Sequence, residues 1–152
     1  VNLGINCIFI CIETPRAELL NYYNKTQNRN RNLIHNIQTI QKNGLQVSGG
    51  FIVGFDSDTL SIFERQVDFI KHSGIVSAMI GILNAPKNTK LYSQLEDENR
   101  LCKDATGNNT DFSMNFIPKM NLNELKTGYE RIIHDIYSIK PYYKRIRLLI
   151  KT

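Results

Sequence analysis

Gly49-Gly50-Phe51-Ile52-Val53-Gly54-Phe55-Asp56-Ser57-Asp58-Thr59 is the stretch of sequence that decides the fold. It begins inside an apolar segment, Leu45 to Phe55, that has the length of a buried strand. It ends in a cluster of Asp, Ser and Thr, the residue types that cap helix N-termini. The helix beyond it carries apolar residues at helical spacing and a glycine that predicts its end: Leu60, Phe63, Val67, Ile70 and Gly74. The predicted order is therefore strand, turn and amphipathic helix.

Strand and helix patterns alternate on both sides of this stretch. Further strands are predicted at Cys7 to Ile12 and at Val76 to Leu83, because both are short apolar runs. Helices are predicted from Pro15 onward, from Leu33 to a stop at Gly44, and from Leu91 to about Asn99. The units recur every roughly thirty to forty residues, the length of a right-handed βαβ crossover. We therefore expect three parallel strands joined by helices.

The pattern changes after Leu101. A turn-rich loop at 106–111 and an extended piece at 115–118 precede a long amphipathic helix from Leu122 to Ile136. Pro141 is expected to break that helix, and residues 142–150 are expected to form a last, basic helix. We accordingly divide the chain into an α/β part, residues 1–100, and a helical extension, residues 101–152.

Composition and charge indicate a globular protein with a basic C-terminus. The chain has 152 residues, and 19 Lys and Arg against 14 Asp and Glu give a net charge of +5. Five of these cations lie in residues 140–151 and favour a solvated helix face, with contact to phosphates or anionic lipid as the alternative. No apolar run approaches the roughly 20 residues that span a bilayer. Three cysteines cannot all pair with one another, so we expect a reducing, cytoplasmic location.

Cys7 and Cys11 have the spacing that begins an iron–sulfur motif, but their surroundings do not fit that chemistry. Such a cluster takes three thiolates from a loop that wraps the iron, whereas position 14 is Thr14 and both cysteines lie in an apolar strand. Their spacing puts them on one face of that strand. We expect them to be buried packing residues. No other cluster of Cys, His, Asp or Glu has metal-ligand spacing.

Glu13 and the glycine-containing strand are the candidate binding residues. Glu13 stands where a strand ends, and parallel sheets and barrels bind ligands at that rim; a helix cap or a salt bridge is the alternative role. Glycine inside a strand lets a ligand or another backbone approach closely. The glycines by themselves favour either a nucleoside-sized ligand on the strand edge or plain turn chemistry.

Several separated motifs, all in one order, carry a resemblance to a known family. They are residues 49–59 and Phe9-Ile10-Cys11-Ile12-Glu13-Thr14-Pro15, Lys25-Thr26-Gln27-Asn28, Asn88-Thr89-Lys90-Leu91-Tyr92, Thr106-Gly107-Asn108-Asn109-Thr110-Asp111, Asn115-Phe116-Ile117-Pro118-Lys119-Met120 and Tyr142-Tyr143. Together they extend over essentially the whole chain. They closely resemble cobalamin-binding-domain-type radical S-adenosylmethionine proteins, in the subgroup with a helical extension to which hopanoid methylases are similar.

The resemblance implies a fold and a cofactor site. The family's catalytic domain is a partial (βα) barrel of six strands, and this chain resembles the fourth to sixth strands. The implied class is α/β, a partial (βα) barrel of about three parallel strands with an α-helical C-terminal extension. Family members place a glutamate like Glu13 near S-adenosylmethionine and a Gly-x-Ile-x-Gly strand, here Gly50, Ile52 and Gly54, alongside its adenine. Asp58 completes the expected cofactor-binding set.

The sequence departs from the family pattern in three ways. Cys11 stands where the family usually has glycine, and Asn88-Thr89-Lys90 stands where it usually has Gly-Thr-Pro. This sequence has no counterpart of three parts of the family pattern: the cluster cysteines, the cobalamin domain and the first three strands. The [4Fe–4S] cluster and cobalamin therefore belong to intact relatives, and we assign this chain no catalytic residue and no metal ligand. S-adenosylmethionine is expected to bind it weakly or not at all.

Three functions remain open from the sequence. The first is a fragment of a radical S-adenosylmethionine methyltransferase or related iron–sulfur oxidoreductase, inactive alone. The second is a non-enzymatic interaction module, and the third, which we expect least, is a nucleic-acid binder that stacks bases on Tyr142 and Tyr143. A homodimer is also expected, because three strands cut from a barrel leave two open edges. The inner face of the three-stranded sheet, which further barrel strands would cover, is predicted to be apolar and to carry Ile8, Ile10, Phe51, Val53, Met79 and Ile82.

Overall fold

Three strands and five helices make up the part of the chain that the structure, a computed structural model, describes, residues 4–15, 32–102 and 112–151. In chain order they are β1 (Cys7–Glu13), α1 (Leu33–Lys42), β2 (Gln46–Val53), α2 (Ser61–Ser73), β3 (Ser77–Ile82), α3 (Lys90–Asp97), α4 (Leu122–Tyr137) and α5 (Ile139–Lys151). The helix predicted from Pro15 onward lies largely outside the described residues, as do the motifs at 25–28 and 106–111.

The strands form one parallel sheet in the order β1-β2-β3. Ile10 pairs with Gly49, which pairs in turn with Ala78, so the three strands lie in register across the sheet. β2, α2 and β3 form a complete crossover unit, and Gly74 ends α2 in the left-handed conformation with φ 75°. The predicted α/β fold with three parallel strands is confirmed.

The helices cover one face of the sheet, and that face holds the core. Residues in register share a face, and Val47, Phe51 and Val53 of β2 lie on the covered one with exposed fractions of 0–2%. Ile80 and Ile82 of β3 continue the same layer. Leu125, Ile132 and Ile136 of α4 belong to the same hydrophobic cluster, so the helical extension and the sheet share one core.

The predicted inner face is wrong for five of its six residues. Ile8, Ile10, Phe51, Val53 and Ile82 lie on the helix-covered side, and only Met79, 49% exposed, lies on the open face. Side chains alternate along a strand, so a prediction shifted by one residue moves a whole set to the other side. The strands are apolar on both faces, and that uniformity left the side undetermined.

The extension occupies part of the β3 edge that we expected to be open. The Tyr137 hydroxyl donates to the carbonyl of Ala78 (2.7 Å) and accepts from its N–H (3.0 Å). Just before β3, Arg145 donates to the carbonyls of Ile75 and Val76. The expectation of two free edges therefore holds only for β1 within the residues described, since α4 and α5 satisfy backbone groups along β3.

The break between the last two helices lies at Ser138 rather than at Pro141. Ser138 is extended, with φ −63° and ψ 150°, and α5 begins at the next residue. Pro141 stands in the first turn of α5, where a backbone N–H has no helical acceptor and its loss costs little. A proline deeper in a helix would clash with the carbonyl one turn earlier, so the chain bends before it.

Candidate functional site

A cleft of about 300 Å³ lies on the open face of the sheet, toward the carboxyl ends of the strands. Glu13 of β1, Gly50 and Ile52 of β2, and Gly81 of β3 line it, and Asn84 closes it from the loop after β3. Parallel sheets bind ligands at this end because the loops that follow the strands can surround a ligand there. The structure thus brings together three of the five predicted site residues.

Glu13 is held in this cleft by an unusual turn. Its φ is 65°, and Thr14 N–H donates to the Ile12 carbonyl at 2.8 Å across it. The register of β1 against β2 also shifts between Cys11 and Glu13. A positive φ in a residue with a side chain costs about 1–2 kcal/mol and persists only where the surrounding structure enforces it. The turn directs the last residue of β1 to the rim.

Gln66 of α2 stabilises that turn from the helix-covered side of the sheet. It is fully buried, and its Nε2 donates to the Ile52 carbonyl at 2.8 Å and more distantly, at 3.5 Å, to the Glu13 carbonyl. One amide group therefore ties the ends of β1 and β2 together. Sequence reasoning missed Gln66, and the available signal was a polar residue on the apolar face of a predicted helix.

Gly50 and Gly81 form part of the floor of the cleft. A Cβ on Gly50 would come within 2.8 Å of the Phe9 ring, whereas a Cβ on Gly81 would meet only the Phe51 carbonyl oxygen at 3.7 Å. A flat group can therefore approach the backbone of β3 closely at Gly81, whereas the Phe9 ring already covers Gly50. Sequence reasoning missed Gly81, although a glycine inside the predicted third strand was a usable signal. It pairs with Ile52 in the sheet.

Gly54 and Asp58, the other two predicted site residues, lie outside the cleft lining. Gly54 has φ 101°, and a Cβ there would contact Leu125 and Met114 at 3.4 Å. The Asp58 carboxylate accepts from the N–H groups of Gly54 and Phe55, each at 3.0 Å. These two residues shape the turn after β2. The structure shows them as supports of the rim, and a direct role in cofactor binding stays a prediction.

An ion-pair network joins the same turn to Arg100 and to Lys119 of the extension. Arg100 donates two hydrogen bonds of 2.6 Å to the Asp56 carboxylate, and it also pairs with Glu98 at 2.7 Å. Hydrogen bonding to Arg100 is the largest of the effects that lower the pKa of Asp56 below its ordinary value. Lys119 lies 3.6 Å from the same carboxylate. Bidentate Arg–carboxylate geometry of this kind gives a stronger and more directional pairing than a single contact.

Asn115, in one of the family-like motifs, holds the loop that carries Asn84. Its side chain accepts from the Ala85 N–H at 2.9 Å and donates to the Ala85 carbonyl at 2.7 Å. Asn84 in turn accepts from the Asn115 N–H and donates to the Ser113 carbonyl. Asn115 is 1% exposed, and its amide group pairs with both backbone groups of Ala85 as a neighbouring strand would. The motif therefore positions one wall of the cleft.

The expectation that Cys7 and Cys11 are buried is wrong. Both lie exposed on the open face, because the covered side of β1 is formed by its isoleucines. Four strand residues apart, their Cα atoms are separated by about 13 Å. Within the described residues no group of three His, Cys, Asp or Glu side chains could hold a metal ion.

In the same part of the chain, no helix is both long and apolar enough to cross a membrane.

Tyr142 and Tyr143, the proposed base-stacking groups, differ in their surroundings. Tyr142 is half-buried, with the Arg145 guanidinium 5.7 Å from its ring centre. Tyr143 is 57% exposed and contacts the Tyr142 ring edge-on. A stacking platform needs accessible ring faces, and one of the two rings is already packed.

Comparison with known proteins identifies relatives over nearly the whole chain. Residues 89–152 match a domain of unknown function (DUF4070). The chain is 34% identical over 146 residues to an uncharacterized methyltransferase of Synechocystis, which covers 95% of this chain and 27% of that protein. It is 35% identical over 106 residues to the hopanoid C-2 methylase of Rhodopseudomonas palustris, covering 69% of this chain and 20% of that protein.

A third relative is more distant. The bacteriochlorophyllide d C-12(1)-methyltransferase of Chlorobaculum tepidum is 27% identical over 97 residues, which are 64% of this chain and 21% of that protein. The chain thus spans about a quarter or less of the length of these relatives. All three are methyltransferases by name, and neither an interaction module nor a nucleic-acid binder is among them.

Proposed function

Because the chain belongs to the cobalamin-binding-domain-type radical S-adenosylmethionine proteins, we propose that it forms the C-terminal half of their partial barrel and one wall of the S-adenosylmethionine site. Residues 1–100 would supply the strands, and residues 101–152 the extension that braces them. The observation that carries the proposal is the cleft, which joins Glu13, Gly50 and Ile52 at the carboxyl ends of parallel strands. The whole protein would be a methyltransferase, as its relatives are named.

Each wall of the cleft suits one part of that cofactor. S-adenosylmethionine carries a sulfonium cation, an amine and a ribose, and the Glu13 carboxylate can accept hydrogen bonds and balance positive charge. Ile52 offers an apolar surface for the adenine, and the backbone at Gly81 leaves room for a flat ring. Ligand sites normally enclose most of the ligand, and a cleft of about 300 Å³ is at the small end of their range.

The iron–sulfur cluster does not fit the described residues. A [4Fe–4S] cluster of this family needs three thiolates around one metal centre, whereas Cys7 and Cys11 are about 13 Å apart on a strand. We therefore assign no reaction step to the chain alone, and we expect it to be inactive without the rest of such an enzyme. Cys7, Cys11 and Cys102 are free thiols, and we place the protein in the reducing cytoplasm.

Nuclear magnetic resonance titration with S-adenosylmethionine tests the proposal. We expect weak binding, with a Kd of about 1 mM, because half a site forfeits several kcal/mol and each 1.4 kcal/mol is about tenfold in affinity. Amide shifts should concentrate at Gly50, Ile52 and Gly81. Glu13→Gln should weaken binding about tenfold, since it removes a charged hydrogen-bond acceptor.

Two further variants make this titration decisive. Glu64→Gln removes the same charge from an exposed position on α2 and should leave the Kd unchanged. Gly81→Ala should fold normally, because its Cβ has room, but should reduce binding by filling the cleft. Shifts spread evenly over the surface, or equal losses in Glu13→Gln and Glu64→Gln, would refute the proposed site. Low-micromolar binding would refute the idea of a half site.

For the isolated chain we propose a weak homodimer through the open face and the β1 edge. Phe9 and Met79 are about half exposed on that face, and Ile52 also lines the cleft there. Burying three such side chains at about 1.5–3 kcal/mol each gives about 4.5–9 kcal/mol at most, which falls within an association cost of about 4–15 kcal/mol and leaves little surplus. Pairing of β1 edges has to supply the remainder. Light scattering that gives only a 17.5 kDa monomer at high micromolar concentration would contradict the dimer.

A further inference from the structure

A second cavity, of about 290 Å³, lies near the amino end of β3, whereas the cleft lies at the carboxyl ends of the strands. Its lining consists of Lys71 from α2 together with Lys140, Pro141, Lys144 and Arg145 from α5. Four of the five residues carry a positive charge, and none carries a negative one. The residues of the proposed S-adenosylmethionine site take no part in it, so the two cavities can be tested independently.

Arg145 is the unusual member of this cavity. It is 1% exposed, and its Nε and Nη2 donate to the carbonyls of Ile75 (2.8 Å) and Val76 (3.3 Å). Its Nη1, on the other side of the guanidinium, has no hydrogen-bond partner in the part of the chain that the structure describes. The rings of Tyr137 and Tyr142 lie 5.9 and 5.7 Å from the charge and offset only part of its desolvation.

A buried cation of this kind calls for a counter-ion. Burial lowers the pKa of Arg145 from its ordinary value, but arginine stays protonated at neutral pH. An unpaired buried charge is costly, and buried arginines normally pair with carboxylates or phosphates. Among residues 4–15, 32–102 and 112–151, the ion pairs involve other side chains, and none reaches Arg145.

The lysines of the cavity are also without carboxylate partners among the described residues. Lys140 and Lys144 are one helical turn apart, and like charges at that spacing destabilise a helix. Both are exposed, and Lys71 is half-buried. The first turn of α5, which carries Lys140, adds the positive end of the helix dipole. An anion between these groups would relieve the repulsion and satisfy Nη1.

We propose that this cavity binds a phosphate group, with Arg145 as the buried anchor and Lys71, Lys140 and Lys144 as the outer ligands. Arginine and lysine supply donors on several sides, which suits a tetrahedral oxyanion better than a planar carboxylate. Nη1 has almost no exposed area, so the side chains that cover it have to move aside before a phosphate oxygen reaches it. Lys140 and Lys144, which are exposed, then close around the ligand. The phosphate is either free in solution or carried by a phospholipid headgroup.

Titration of the full chain with inorganic phosphate, at constant ionic strength set with chloride, tests the proposal. We expect saturable shifts of the Arg145 Nε–H resonance and of the backbone amides around residues 140–145. The double variant Lys140→Gln/Lys144→Gln should raise the Kd at least about tenfold, because it removes two charged hydrogen-bond donors. The matched control Lys42→Gln/Lys126→Gln removes the same charge from exposed positions on α1 and α4 and should leave the Kd unchanged.

The same variants separate the two sources of phosphate. Vesicles containing phosphatidic acid, compared with phosphatidylcholine alone, should bind the chain through Lys140 and Lys144 if a headgroup is the ligand, and inorganic phosphate should compete. Phosphate binding without vesicle binding identifies a soluble ligand. The proposal is overturned if phosphate shifts do not saturate, if the Arg145 Nε–H resonance does not move, or if the control variant weakens binding as much as the double variant.

Discussion

Gly49 and Gly50 are neighbours in β2, and replacing each by alanine should have opposite consequences. A Cβ on Gly49 would point into the core, 2.8 Å from the Phe51 ring, 3.0 Å from Ile75 and 3.3 Å from Ile12. A Cβ on Gly50 would point to the open face, 2.8 Å from the tip of the Phe9 ring. Phe9 is 54% exposed and can swing away, whereas the core side chains are enclosed.

The magnitudes follow from these surroundings. Extra volume in a packed core costs about 1–3 kcal/mol, and replacing glycine by alanine at an ordinary φ returns about 0.4–1 kcal/mol through the unfolded chain. Neither glycine has a positive φ, so the second effect applies to both. Gly49→Ala should therefore lower the free energy of unfolding by about 1–2 kcal/mol. Gly50→Ala should leave it unchanged or raise it by up to about 1 kcal/mol.

Urea unfolding of the two variants beside the parent chain measures this difference. The midpoint for Gly49→Ala should fall without a change in slope, because the surface exposed on unfolding is nearly the same. In a thermal scan each kcal/mol corresponds to about 2–4 °C for a chain of this size. Equal destabilisation by both variants, or a greater loss in Gly50→Ala, would show that the assignment of faces is wrong and with it the floor of the cleft.

Three other substitutions have defined outcomes. Gly128→Ala should destabilise by up to about 2 kcal/mol in thermal unfolding, because its Cβ would overlap the Phe63 ring, and it should become neutral or stabilising when combined with Phe63→Leu. Asn115→Ala should cost about 2–4 kcal/mol in urea unfolding, since it leaves both backbone groups of Ala85 without partners; a loss below 1 kcal/mol would contradict this. Asp56 has a lowered pKa in the folded state, so its contribution to stability is present above the ordinary value of 3.8 and is lost as the pH falls through the folded-state pKa. Asp56→Asn should therefore flatten the stability profile in that acidic range, and an unchanged profile would argue against the ion pair.

Much of the fold could be predicted from the sequence, because its signals are local. The run around Phe51, the helical spacing beyond Leu60 and the stop at Gly74 placed β2, α2 and β3 close to their observed bounds. Parallel pairing followed from the length of the crossover. The family resemblance named Glu13, Gly50 and Ile52 as cofactor-binding residues, and all three line one cleft. Their role in cofactor binding stays a prediction.

The side of the sheet on which each residue lies was decided only by tertiary structure. Cys7 and Cys11 were expected to be buried and are exposed, and Phe51 and Val53 were assigned to the open face and lie on the covered one. An apolar strand gives no local sign of which face the helices cover. The partners of long polar side chains were also beyond local reasoning. Arg145 contacts residues 69 and 70 positions away, and such a contact exists only once α5 has packed beside β3. Sequence by itself determined the elements and their order, since these depend on neighbours along the chain. The tertiary structure decided which groups are buried together, and those groups form the cleft and the phosphate site.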